Sequence, residues 1–126
     1  MTDTTPPPFA PSFPALAGQA RLLLTTAPPD IAQDLAHTLV EERLAACVSL
    51  LPGVRSVYRW KGEIHDDPET QLLIKTTATH LPTLAARIQA LHPYEVPELL
   101  ILEPTGGSAP WLDWLQAQVM ADTGER

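Results

Sequence analysis

The sequence predicts an α+β domain in the order β-α-β-β-α-β, with one further helix at the C-terminal end. Three observations carry this: short apolar runs read as strands, apolar residues recur every three or four positions in two stretches between them, and Pro and Gly separate the two patterns. At 126 residues, 44% hydrophobic and 18% charged, the chain suits one domain and is too short for two ordinary ones.

Of fourteen prolines, five (Pro6, Pro7, Pro8, Pro11 and Pro14) fall in the first fourteen residues. With only two isolated phenylalanines, residues 1–20 cannot bury enough apolar surface to offset the entropy of ordering, and are expected to form a disordered Pro-rich tail. The domain proper is expected over residues 21–122, with a short tail at 123–126. The first strand is Arg21-Leu22-Leu23-Leu24-Thr25-Thr26, an apolar run stopped by Ala27-Pro28-Pro29, which reads as buried on both faces. Asp30 stands where an N-cap is needed, and Ile31, Leu35 and Leu39 give the buried stripe of a helix ending near Arg43.

Residues 46–51 and 54–61 are apolar runs broken by Pro52-Gly53, the mark of a bulge or bend in an edge strand. Residues 62–68 are polar and acidic and are expected to form a turn, and residues 69–77 alternate as the returning strand. Leu81, Leu84, Ile88 and Leu91 mark the second helix, with Pro82 in its first turn. Residues 98–103 form the fourth strand, and Trp111, Leu112, Leu115 and Val119 the apolar face of a closing helix reaching about Asp122. This is the ferredoxin-like sandwich, in which two helices cover one face of a four-stranded antiparallel sheet. Strands one and four read as buried on both faces, so another copy of the chain is expected to cover the second face.

Fifteen acidic against eight basic residues leave a formal charge of −7, which repels a phosphate backbone, so no nucleic-acid partner is expected. Cys47 is the one cysteine, which excludes an intrachain disulfide and fits a reducing compartment. The opening stretch has neither the basic nor the apolar region of a signal peptide, and no apolar run is long enough to span a bilayer. A soluble, cytoplasmic protein with no membrane partner is expected.

Several segments together resemble the CutA family of divalent-cation tolerance proteins. They are Thr25-Thr26-Ala27-Pro28, Leu44-Ala45-Ala46-Cys47-Val48, Pro52-Gly53-Val54, Tyr58-Arg59-Trp60-Lys61-Gly62, Ile74-Lys75-Thr76 and His92-Pro93-Tyr94-Glu95-Val96-Pro97, in order along residues 21–119. The resemblance implies a homotrimer with sheets packed about the threefold axis, long hairpins reaching into neighbours, and an architecture like that of the PII signalling proteins. It also implies a link to divalent metals, copper in particular. The proline-rich start and the single thiol depart from the family pattern, and the latter excludes a copper site of several cysteines from one subunit.

Three candidate metal ligands stand out. Cys47 is the one soft donor, set against its reading as a small buried strand residue. His92 and Glu95 share a loop stiffened by Pro93 and Pro97, set against a turn that docks at an interface. As an alternative, Lys75, Trp60 and Tyr58 could form an intersubunit cleft for a small anionic effector, the ammonium binding and the rings stacking; a structural ion pair of Lys75 is the plainer account. Residues 63–69 carry hard oxygens but lack EF-hand spacing. Trp111 and Trp114 are assigned to core or interface packing. No nucleophile elbow, P-loop, dinucleotide fingerprint or zinc-protease helix is present, and no enzymatic activity is expected. The reading is a CutA-like trimer binding divalent metal, copper first; the alternative is a PII-like module that binds an anionic effector and signals to a protein partner.

Overall fold

Pro28 and Pro29 determine where the first helix begins, and with it the geometry of the whole N-terminal half. The structure is a computed structural model that describes residues 18–119, together with the backbone of residues 15–16. A two-residue strand, β1 (Ala15–Leu16), precedes β2 (Ala20–Ala27) and α1 (Pro29–Glu41). Asp30 is not the N-cap. Pro28 takes that position, its carbonyl accepting from the N–H groups of Ile31 and Ala32 at 3.0 and 2.9 Å, because Pro29 has the fixed φ and missing donor that suit the first helical residue. Asp30 keeps its charge in the first turn, where the helix dipole favours it. The helix stops two residues before Arg43, whose backbone turns left-handed at φ 59° while its guanidinium donates to the Gln118 carbonyl at 3.0 Å.

A long hairpin follows, β3 (Cys47–Trp60) and β4 (Glu63–Thr77), with the expected bulge between Leu51 and Val54. The expected seven-residue turn at 62–68 is corrected: residues 63–68 are strand, paired from Glu63 opposite Trp60 to Pro68 opposite Arg55. The turn is only Lys61-Gly62, with φ of 50° and 81°, the two left-handed positions of a tight two-residue hairpin loop. Alternation is lost in 63–68 because this part of the ribbon extends past the end of β2 at Thr70 and has solvent on both faces. Pro68 is tolerated because β4 there has a neighbour on one side only. Nothing lies within 4 Å of a Cβ built on Gly62, so Gly62→Ala isolates the backbone cost: a loss of about 1–2 kcal/mol is expected, read as a lower thermal midpoint.

A single 3₁₀ turn (Ala78–His80) leads into α2 (Leu81–Leu91), then β5 (Leu100–Leu102), β6 (Gly106–Gly107) and α3 (Ala109–Val119). The main sheet is antiparallel with order β3-β4-β2-β5, as the ferredoxin-like order requires. β1 pairs with β6, so paired backbone reaches into the stretch expected as tail; residues 1–14, 17 and 120–126, which hold the rest of both expected tails and the last turn expected of α3, lie outside the described residues.

Leu23 and Ala27 of β2, Leu72 and Ile74 of β4, Leu35 and Leu39 of α1, and Leu84 and Ile88 of α2 form the core on one sheet face. Alternation sends Ala20, Leu22 and Leu24 to the other face, where Leu115 and Val119 of α3 pack on Ala20 and Ala46 at one end. The expectation of a fourth strand buried on both faces is corrected for the single chain: Leu100 and Ile101 are about half exposed and Leu102 is 41% exposed. β5 is an edge strand, with no neighbour beyond it to cover these side chains.

Candidate functional site

Beyond Thr70 the hairpin leaves the four-stranded sheet, and the loop of residues 92–98 lies against its base. Because side chains alternate along a strand, Ser56, Tyr58 and Trp60 share one face of the ribbon with Glu63, His65, Asp67 and Glu69 opposite. That face and the loop enclose a cleft of about 490 Å³, lined by Thr26, Tyr58, Trp60, Glu69, Tyr94, Glu95 and Glu98 among others.

His92 holds the loop to the sheet. The Tyr94 N–H donates to its Nδ1 at 3.1 Å, so the ring proton is on Nε2, which donates to the Thr26 carbonyl at 2.7 Å. The imidazole is buried and packs on the Tyr94 ring at 4.6 Å. Both nitrogens are thus engaged with backbone, and a metal could reach His92 only by displacing one of these bonds. The role the structure gives it is positioning of Tyr94.

Tyr94 in turn donates its hydroxyl to Glu69 at 2.6 Å, and Glu69 is 3% exposed. Burial pushes the Tyr94 phenol well above its ordinary value, and the bond to Glu69 adds to the effect. A phenol that keeps its proton longer in the folded chain contributes stability that is complete below the unfolded value of about 10 and is lost as pH rises beyond it. Urea unfolding is therefore expected to show stability falling above about pH 10, with the fall flattened in Tyr94→Phe. On the neighbouring rung Tyr58 donates to Asp67 at 2.6 Å, which raises its phenol too, and its ring stacks on His65 at 5.3 Å.

Glu95 lines the cleft while remaining largely exposed, and pairs with Lys61 at 3.8 Å, linking the loop to the hairpin tip, where Lys61 also sits 5.7 Å above the Trp60 ring. Lys75 is elsewhere. It stands opposite Cys47 and Leu22 in the four-stranded part, bonded to Ser49 and 3.7 Å from the Cys47 sulfur. At about 3.3 Å per residue, ten residues of β4 separate it from His65 by roughly 30 Å, so within one chain it does not join Tyr58 and Trp60. Nor does Cys47 join His92 and Glu95: it lies half-buried on the sheet face away from the core helices. Among the described residues no group of three His, Cys, Asp or Glu side chains is placed to hold a metal within one chain.

The sequence reading missed Glu69, Glu98 and the partnership of Asp67 with Tyr58. The signal was present as period-two spacing in Ser56, Tyr58 and Trp60 and in His65, Asp67 and Glu69, but it was hidden by treating 63–68 as a turn. No helix among the described residues is long and apolar enough to cross a membrane.

Residues 21–118 match the family model of the CutA1 divalent ion tolerance protein. A "Divalent-cation tolerance protein CutA" from Thermus thermophilus is 48% identical over 95 residues, covering 75% of this chain and 92% of that one. The solved structure of the "PII-like protein CutA" from Nostoc superposes with a TM-score of 0.76 at 35% identity, covering 79% of this chain and 97% of that one. That of the "Periplasmic divalent cation tolerance protein CutA" from Archaeoglobus fulgidus gives 0.77 at 28% identity, covering 80% and 99%. With the family model matched over residues 21–118 and a relative 48% identical over 92% of its length, this chain belongs to the CutA1 divalent ion tolerance family.

Proposed function

We propose that the protein is a cytoplasmic, non-catalytic homotrimer that takes up a divalent cation, copper first, at the hairpin cleft and serves the cell's response to divalent metals. The observation that carries the cation reading is the lining of the cleft. Glu69, Glu95 and Glu98 face it with two tyrosines and no cationic side chain, Lys61 meeting only the exposed Glu95. A concave surface of one sign concentrates counter-ions of the other and disfavours an anion, which weighs against the alternative effector. Carboxylate and phenol oxygens suit divalent cations, and among first-row divalent metals copper binds such donors most tightly. Glu95 stays a ligand candidate, with Glu69 and Glu98 lining the same cleft; because among the described residues no three such side chains converge within one chain, a neighbouring subunit or water would complete the set. His92 positions the loop, and Cys47 is a soft donor that could act only with copies from other subunits.

The trimer is supported by the apolar side chains of β5 left half exposed and by the open face beside Leu22 and Leu24. The lone thiol supports the cytoplasm, against which the Archaeoglobus relative is described as periplasmic.

Calorimetric titration of Cu(II), Zn(II) and Mg(II) at moderate salt tests the metal reading. Saturable, copper-preferring binding in a whole-number ratio to subunits is expected. Glu69→Gln with Glu98→Gln should weaken it at least about tenfold, one such step being about 1.4 kcal/mol, while Lys75→Ala leaves it unchanged. Binding lost in Lys75→Ala but kept in the glutamate variant would reverse the assignment, and binding abolished by 0.15 M salt would show only a diffuse attraction of the net negative chain.

A further inference from the structure

We propose that the proline-rich segment of residues 6–14 docks on the exposed tryptophan pair of α3, so that the N-terminal extension is tied down on the domain it precedes. Helix α3 buries Leu115 and Val119, with Leu112 packed beside them, and this leaves Trp111 and Trp114 outside the core. Both are exposed, at 43% and 44%, and their rings lie 6.4 Å apart, tilted by 34°. Two indoles at helical spacing present a shallow aromatic surface. Such surfaces recognise polyproline II segments, whose stiff backbone loses little entropy on binding and whose rings pack on aromatic faces.

The segment has the right chemistry. In Pro6-Pro7-Pro8-Phe9-Ala10-Pro11-Ser12-Phe13-Pro14, Pro8, Pro11 and Pro14 recur every three residues, and three residues make one polyproline turn. One edge of the helix is thus all proline. The stretch carries no charge, so docking it strands no ion on the apolar surface.

The direction of the chain is what singles out this occupant. Ala15 pairs with Gly107 and Leu16 with Gly106 in antiparallel register, so the strand at Ala15 is directed toward Ser108, Ala109 and the first turn of α3. Trp111 lies in that turn and Trp114 in the next. At about 3.1 Å per residue, residues 6–14 span about 28 Å, and the eleven residues of α3 rise about 16 Å, so the reach is ample. A two-residue strand is a weak anchor alone, and a second contact beyond it accounts for why Ala15 and Leu16 hold their register.

Fluorine NMR of the full chain labelled with 5-fluorotryptophan tests this, with the three resonances assigned by single Trp→Phe variants. The comparison is with a full-length variant carrying Pro8→Gly, Phe9→Ser, Pro11→Gly and Phe13→Ser, all upstream of β1. The expected result is that the Trp111 and Trp114 resonances shift and become more accessible to acrylamide, while Trp60, on the distant hairpin, stays in place. Three unmoved resonances would overturn the proposal. A shift for Trp111 and Trp114 that disappears on dilution of the wild-type chain would also overturn it, by showing that a second copy covers the pair. Circular dichroism and light scattering of both proteins exclude a change of fold or assembly as the cause.

Discussion

Aspartate at both Leu100 and Leu102 is expected to leave a folded chain that no longer assembles. In the single chain these side chains are 51% and 41% exposed, so their replacement removes little that the monomer depends on. In a trimer that covers them, each lost leucine removes about 1–2 kcal/mol of burial. Each introduced carboxylate would also have to be desolvated without a partner, which costs several kcal/mol more and is avoided by dissociation. Sedimentation at micromolar concentration should then show one subunit, against the three expected of the wild type under the proposed assembly, with the far-ultraviolet circular dichroism kept. A variant of unchanged mass would remove the support that β5 gives to the assembly. A variant that is unfolded as well as monomeric would show that the chain has no stability apart from its partners, as in obligate oligomers.

His92→Ala should be the most costly single change at the cleft. Removing the ring leaves the Tyr94 N–H without its acceptor, at about 1–3 kcal/mol, and leaves the Thr26 carbonyl only the long 3.4 Å bond from the Thr25 hydroxyl, at about 1 kcal/mol, so a loss of about 2–4 kcal/mol in chemical denaturation is expected. Metal need not be present for this loss to appear. His92→Asn places an amide oxygen where Nδ1 accepts from Tyr94 and is expected to recover about half of the stability, because only the bond to Thr26 is then missing. If His92 were instead chiefly a ligand, the metal-free protein would barely notice either substitution, and only the metal-loaded protein would lose stability. The pair of variants therefore separates a residue that shapes the site from one that holds its contents.

Local pattern made most of the fold legible. Period-four spacing in Ile31, Leu35 and Leu39 and the mixed spacing of Leu81, Leu84, Ile88 and Leu91 report directly which helix face is buried, because the helix repeat converts spacing into direction. Pro52-Gly53 marked the bulge for an equally local reason: one residue lacks a donor and the other tolerates φ 78°. What failed was the assignment of residues 63–68. Their polarity is that of a ribbon wet on both faces, and polarity alone does not distinguish such a ribbon from a turn. The φ-positive Lys61-Gly62 step was the better signal.

The sequence by itself determined the element order, the helix faces, the bulge and the family to which the chain belongs, since each rests on neighbours in sequence or on motifs kept in line. Tertiary structure alone decided what the candidate residues touch. It brought His92 to Thr26 across 66 residues and Tyr94 to Glu69 across 25, and it set Lys75 at the opposite end of the hairpin from Tyr58 and Trp60. Hydrogen-bond partners are chosen by distance in space, and the approach of the 92–98 loop to the hairpin that sets those distances has no period for a sequence to display.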